Sequence, residues 1–427
     1  MRWMGTKAGP VVLVALIATL AVACGTSETG PAKAPAGSSG ELVGADIDRA
    51  PAGAVDTTAL VGGVNRFGFD YFKLVADRSG EENVVFSPLS IAIAFGMAHA
   101  GARGETAAQI QHVFHFPSSD ETLHAAFNAL DQGLADSGDS TLRLANRMYP
   151  VVGYELVGDF VTTLAASYGA PLERLDFAAE PEAARERINA WVADRTEKHI
   201  PELLAAGAVK PRTVLVLVNA LYLEAKWSQP FGKYPTKDGP FTRLDGSVAD
   251  AALMHNAELR ARYVDAPGYQ AVELPYGKGE LAMTVVVPDE GQFLDFERRF
   301  DAEFLAQIDA SMREGIVDLF LPRWSASFDV DLIETLPELG LTLPFKGGDF
   351  TGISPQNPFI GEGVHAADIE VDEHGTVAAA ATALGFEESG PPVADAVIRA
   401  DRPFIYAIRH AQTGTVLFLG RVTDPAA

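Results

Sequence analysis

The apolar positions change texture along the chain. Residues 11–23 form an unbroken apolar run, VVLVALIATLAVA. It is too short for a stable bilayer-crossing helix, which needs about 20 residues. Residues 25 to 55 carry Gly, Ser, Pro, Ala and Thr with scattered acids and no period, which predicts a flexible tether over 24–55. Periodic patterns begin at Asp56 and predict a folded domain over 56–427. Leu60, Val64, Phe67, Tyr71 and Leu74 recur at helical spacing, with Asp56 or Thr57 as the cap. Ser87-Pro88 opens an apolar helix that runs to Ala100, since serine caps well and proline suits the first helical position. A third helix follows Gly104, with Ala107, Ile110, Val113 and Phe114 on one face. Pro181 opens another that carries Ile188, Trp191 and Val192.

The second half reads differently. Thr213–Leu223 is apolar on both faces, the pattern of a central strand. Further strands are predicted at Gln270–Leu274, Leu281–Val287, Ile316–Leu321 and His365–Val371, and helices near Leu294–Ile308 and Asp331–Leu339. Phe404–His410 and Thr415–Val422, joined by a short Gln-Thr-Gly turn, read as a hairpin. Helices lead, strands follow, and no regular βαβ rhythm appears, so the fold class is α+β in one large unit.

Composition narrows the function. A chain that is 48% hydrophobic and 21% charged folds for most of its length. The formal charge of -24 repels phosphate backbones, so no nucleic-acid partner is expected. The single cysteine, Cys24, excludes an internal disulfide and a cysteine-based metal cluster. Arg2 and Lys7 precede the apolar run, which ends at Ala21-Val22-Ala23-Cys24. Residues 1–23 therefore read as an export signal. Small residues before the cysteine resemble a bacterial lipoprotein signal, in which Cys24 would be lipidated and anchor the domain at the outer face of the cell membrane; Ala21 stands where that pattern usually has leucine. Ordinary cleavage after Ala23 would instead give a secreted protein with a free thiol.

Familiar catalytic motifs are missing: no G-x-S-x-G, S-x-x-K, H-E-x-x-H, phosphate loop or dinucleotide fingerprint occurs. His112 and His115 lie three apart on a helix without a third ligand, which favours a packing role. Asp372, Glu373 and His374 fall at a strand end before Gly375, where solvated turn residues are the default, and Glu387-Glu388-Ser389 reads as an acidic loop. No enzyme activity, metal or cofactor is expected. The unusual stretch is Gly375–Pro392, GTVAAAATALGFEESGPP. Counted by twos, Thr376, Ala378, Ala380, Thr382, Leu384 and Phe386 share one face that starts small and turns large and apolar. A segment like this can stand as a loop and also enter a sheet as a strand, and its small leading residues lower the steric barrier.

Taken with that stretch, the chain resembles a serpin, the serine protease inhibitor family, from Asp56 to Pro425. Asn83-Val-Val-Phe-Ser-Pro-Leu-Ser-Ile-Ala is similar to the family's early helix, with Ser87 and Ser90 under the main sheet. Leu217-Val-Asn-Ala-Leu-Tyr-Leu, Lys226-Trp227 and Pro230-Phe231 resemble the strand and turn at the top of that sheet. Val364-His365 stands where the family has a histidine bonded to the asparagine matched by Asn219, and Arg323 in Leu321-Pro-Arg matches a basic partner of Glu373. Glu373-His-Gly-Thr-Val-Ala-Ala-Ala-Ala resembles the hinge of inhibitory members, placing Glu373, Gly375, Thr376, Val377, Ala378, Ala379, Ala380 and Ala381 there. Asp401-Arg-Pro-Phe, Ile408-Arg-His and Gly414-Thr-Val-Leu-Phe-Leu-Gly-Arg-Val resemble the closing strands.

The resemblance implies a fold of three β-sheets with about nine helices and an exposed reactive loop. It implies a suicide-substrate inhibitor: a serine protease acylates the loop, and the cut loop inserts into the central sheet before the ester is hydrolysed. Ser87, Ser90, Asn219 and His365 would then lie where the sheet opens, and Trp227, Arg323 and Glu373 where the loop goes in. The alternative is a non-inhibitory serpin-fold lipoprotein with a binding or chaperone-like role. A monomer is expected. The family's usual spacing from Glu373 puts the scissile bond between Ser389 and Gly390, while a count back from Phe404 points nearer Pro392; Phe386, Glu387 and Glu388 are the alternatives. These favour elastase- or subtilisin-like, chymotrypsin-like or Glu-specific targets respectively. No Arg or Lys lies between Glu373 and Ile398, so trypsin-like proteases are not expected partners.

Overall fold

Three β-sheets and a surrounding set of helices are built from residues 40–117, 120–134, 140–376 and 393–426, the parts that a computed structural model of the chain describes. The nine helices among these residues are α1 (Thr58–Arg78), α2 (Pro88–Gly101), α3 (Gly104–Val113), α4 (Asp120–Leu134), α5 (Gly158–Tyr168), α6 (Pro181–Arg195), α7 (Phe293–Arg299), α8 (Ala302–Ser311) and α9 (Leu332–Thr335). None of them is long and apolar enough to cross a membrane. At the start of α2, the Ser87 side chain accepts a hydrogen bond from the Ser90 N–H at 3.1 Å and Pro88 occupies the first turn.

A five-stranded sheet holds the site. Its members are β3 (Thr141–Pro150), β5 (Leu215–Lys226), β11 (Trp324–Asp331), β12 (Glu362–Val371) and the short β13 (Gly375–Thr376), in the order β11-β12-β13-β5-β3. Strand β5 is buried on both faces, as its apolar run predicts. Leu217, Leu221 and Leu223 join the large core that also contains α2. Val216, Val218 and Ala220 face a smaller core with Ile188 and Val192 of α6. Each such buried aliphatic side chain contributes roughly 1.5–3 kcal/mol.

A second sheet has the order β14 (Ala396–Arg399), β10 (Arg313–Pro322), β7 (Val248–Ala266), β8 (Tyr269–Tyr276), β9 (Leu281–Pro288), β15 (Phe404–His410), β16 (Val416–Val422) and β2 (Val84–Phe86), with β6 (Lys237–Thr242) paired to β7. The C-terminal hairpin β15–β16 thus lies inside the sheet, between β9 and β2. The fully buried Arg421 of β16 binds Glu297 at 2.9 Å and donates to the Ala76, Gly80 and Glu82 carbonyls, so the last strand secures the end of α1.

The third sheet is present as the resemblance implies, but its first strand lies where none was expected. β1 (Glu41–Val43) pairs antiparallel with β4 (Leu172–Arg174), inside the stretch read from its composition as a tether. Arg49 follows with bonds to Asp131 at 2.5 Å and Asn128 at 3.0 Å, and the Ala50 N–H donates to the Ala166 carbonyl at 2.9 Å. Residues 40–55 therefore strap α4, α5 and β4, and the domain starts earlier than Asp56. The helix read over Leu294–Ile308 is two, because Asp301 caps a new one by accepting from the Phe304 N–H at 2.8 Å. Asp331–Leu339 is a single α-turn followed by a 3-10 turn.

Candidate functional site

Strands β5 and β12 run side by side and parallel from Val216/Glu362 to Leu221/Ala367. Above that point they separate, and β13 stands between them: Thr376 pairs with Val371 of β12 and with Ala225 of β5, and Gly375 with Lys226. The sequence makes this possible at two positions. A Cβ at residue 375 would overlap the Ala225 carbonyl and come within 2.8 Å of the Lys226 Cα, so only glycine fits. Thr376 is small, 2% exposed, and its hydroxyl shares a 2.6 Å hydrogen bond with the Tyr276 phenol. Burial pushes Tyr276 well above the ordinary tyrosine pKa, its bond to Thr376 opposing only in part, so the phenol stays neutral.

Trp227 organises the turn that delivers this strand. Its ring stacks on Tyr276 with centroids 4.4 Å apart, its indole N–H donates to the Asp372 carbonyl at 2.9 Å, and its backbone N–H donates to the His374 carbonyl at 2.8 Å. The Asp372 carboxylate accepts from the His374 and Gly375 N–H groups at 2.7 and 3.1 Å, closing the turn. Glu373 is gripped by Arg323, whose Nε donates at 2.8 Å to both carboxylate oxygens, and by the Thr236 hydroxyl. Partial burial pushes the Glu373 pKa up, but the Arg323 and Thr236 hydrogen bonds outweigh it and hold the acid below its usual range. With the Arg323 side chain half exposed, the pair is worth no more than about 1 kcal/mol.

Lower on the same strands lies a second polar group. Asn146 of β3, Asn219 of β5 and His365 of β12 are in register across the sheet. His365 Nε2 accepts from the Ser87 N–H at 3.0 Å, so Nδ1 carries the proton and donates to Asn219 Oδ1 at 2.6 Å. The Asn219 amide donates to Ser90 Oγ at 2.7 Å, to the Ser90 carbonyl and to Asn146 Oδ1 at 2.5 Å. Complete burial pulls His365 down to about 3, which keeps the ring neutral.

Ser87, Ser90, Asn219 and His365 thus form one cluster under the sheet, and Trp227, Arg323, Glu373, Gly375 and Thr376 form another at its top. Along β5, Asn219 lies six residues from Ala225, the partner of Thr376, about 20 Å at 3.3 Å per residue. Val377, Ala378, Ala379, Ala380, Ala381, Phe386, Glu387, Glu388, Ser389, Gly390 and Cys24 lie outside the described residues. Further along, the Asp395 carboxylate accepts from the Ile316 N–H at 2.8 Å, and β14 runs parallel to β10. Sequence reasoning missed Tyr276, Thr236 and Asn146. Tyr276 ends an apolar strand beside Pro275, a faint signal at most, and nothing local marks the other two. His115 pairs with Asp70 at 3.0 Å, and no group of three metal-ligating side chains occurs among the described residues.

Comparison with known proteins agrees with this architecture. A family profile described as "Serpin (serine protease inhibitor)" matches residues 63–425. The chain is similar to leukocyte elastase inhibitor A of Rattus norvegicus, 37% identical over 373 residues, covering 84% of this chain and 97% of that protein. It superposes on tengpin, a thermophilic serpin solved in its native state, with a TM-score of 0.82 and 25% identity over 90% of this chain and 99% of that one. On uncleaved ovalbumin the TM-score is 0.79, with 27% identity over 86% and 100% of the respective chains.

Proposed function

The chain belongs to the serpin family of protease inhibitors, and we propose that it inhibits by being cut, the acylated loop continuing into the central sheet along the path that Gly375 and Thr376 have begun. The observation that supports this reading best is β13 itself: Gly375 and Thr376 are already hydrogen-bonded into the sheet between β5 and β12. Continuation downward requires β12 to part from β5 along Leu221/Ala367 to Val216/Glu362, past the Asn219–His365 bond. The residues that would follow Thr376 into the slot are Val377 and four alanines, which present little bulk to the parting strands. Gly375 supplies the close approach and Glu373 the fixed upstream anchor. No catalytic group of this chain takes part; the protease's own serine makes the ester, and insertion competes with its hydrolysis.

For the target, the small Ser389 at the spacing-derived cut favours an elastase- or subtilisin-like protease, in keeping with the elastase inhibitors among its relatives. Incubation with elastase, subtilisin and chymotrypsin followed by denaturing electrophoresis tests both points. An SDS-resistant band of summed mass, with peptide masses placing the cut within Leu384–Pro392, is the expected result. Clean cleavage without such a band from all three enzymes would favour the non-inhibitory reading. Export with lipidation of Cys24 is part of the same proposal. Radiolabelled palmitate should enter the wild-type chain and not Cys24→Ser in a bacterial host.

A further inference from the structure

Away from the loop, a cavity of about 360 Å³ opens along the free edge of β3, between α4, α5 and α6. We propose that it binds a small organic dianion, of the aryl phosphate kind. Three guanidinium groups line it, Arg49, Arg147 and Arg195, against one lining carboxylate, Asp131. Arg49 and Arg147 are each ion-paired, to Asp131 and to Glu173, which leaves Arg195 as the uncompensated cation of the lining.

The groups differ in how far they are already used. Arg49 is committed to Asp131 and Asn128. Arg147 is 8% exposed and spends Nη1 on Glu173 at 2.9 Å, but its Nε–H is buried without a partner. The indole N–H of Trp191, on the same wall, is also buried and unpartnered. Arg195, exposed where α6 ends, makes no ion pair among the described residues and lies 5.8 Å over the Trp191 ring. Arg147 covers the same ring at 4.4 Å. The two buried N–H groups lie behind the wall, so the exposed Arg195 guanidinium, beside the partly committed Arg147, is what the cavity offers an acceptor-rich ligand. A phosphate monoester offers the charge and the oxygens for charge-assisted bonds. The volume falls within the range of small-molecule sites and exceeds the need of a bare ion, and the indole and the Phe127 and Ile93 side chains offer apolar surface to an organic body. Asn146 on the wall is hydrogen-bonded to Asn219, so the cavity adjoins the line along which the sheet would open.

Binding can be tested on the whole chain independently of protease trapping. Titrations with phenyl phosphate, inorganic phosphate and benzyl alcohol, at an ionic strength fixed with sodium chloride, are followed by calorimetry and tryptophan fluorescence. Phenyl phosphate should saturate with one site and bind more tightly than inorganic phosphate, and benzyl alcohol should not bind. Arg195→Ala, a substitution at an exposed position, should weaken phenyl phosphate about tenfold or more with the unfolding curve unchanged. Trp191→Phe should remove most of the fluorescence change. Absence of saturable binding beyond the sodium chloride control would overturn the assignment, and so would an affinity that Arg195→Ala and Arg147→Gln both leave unaltered.

Discussion

Replacing Thr376 by arginine is expected to turn the inhibitor into a substrate. The residue is 2% exposed in a slot one side chain wide, its hydroxyl bonded to Tyr276 and its backbone paired on both sides. The substitution removes one buried hydrogen bond, worth about 1 kcal/mol. It also asks a guanidinium to enter a site where both acids of the adjoining turn are engaged, Glu373 by Arg323 and Asp372 by the turn's own N–H groups. Burying an unpaired charge costs several kcal/mol after relaxation. If only about 3 kcal/mol of the total is felt in the barrier to insertion, the step slows roughly 100-fold. Hydrolysis of the ester then wins the competition. The assay is a titration of elastase or subtilisin with each protein, scoring covalent complex against cleaved inhibitor on denaturing gels. The wild type should give mainly complex, and Thr376→Arg mainly cleaved chain. Thr376→Val, similar in volume and uncharged, should keep most of the complex. Equal complex yields from wild type and Thr376→Arg would refute the reasoning, because insertion would then not pass through this slot.

The buried imidazole predicts an acid response. His365 titrates near 3 in the fold and 6.5 when unfolded, so below pH 6.5 the unfolded chain takes up a proton that the folded one refuses. Its contribution is whole above pH 6.5 and falls by up to about 1.4 kcal/mol per pH unit down to about pH 3; urea unfolding between pH 7 and 4 should show this slope, reduced in His365→Gln. Tyr276→Phe should lose about 1 kcal/mol in the same assay and loosen β13, read as faster hydrogen exchange at the Gly375 and Thr376 amides. Nicking the wild type between Leu384 and Pro392 should raise its melting temperature well above that of the intact chain, since the freed strand gains a full set of ladder bonds; an unchanged temperature would mean that intact protein holds no stored free energy.

Much of this was readable from residues alone where local pattern and tertiary need coincide. β5 is apolar on both faces because it has a core on each side, and a run of that kind has few other homes. Ser87-Pro88 caps α2 by chemistry contained within four residues. Gly375 and Thr376, small residues placed where no packing core would want them, lie in the described part of the hinge stretch and form β13. What escaped depends on partners far along the chain. β1 is a strand only because β4 lies beside it, and three residues of mixed polarity carry no period. Thr236 and Asn146 are ordinary polar residues until Glu373, 137 residues away, and Asn219, 73 away, are brought to them. The split of the helix read over Leu294–Ile308 turned on Asp301 competing as a cap, which the apolar spacing on either side concealed.

The position of β15 and β16 has a consequence for how the molecule is made. These strands are made long after α1 and β2, yet they sit between β9 and β2, and Arg421 clasps the carbonyls that end α1. Strand β2 and the end of α1 must therefore wait for partners more than 300 positions later. Synthesis from the N-terminus cannot finish the second sheet by degrees. Without β16, β2 loses its neighbour in the second sheet, and the carbonyls at the end of α1 lose Arg421.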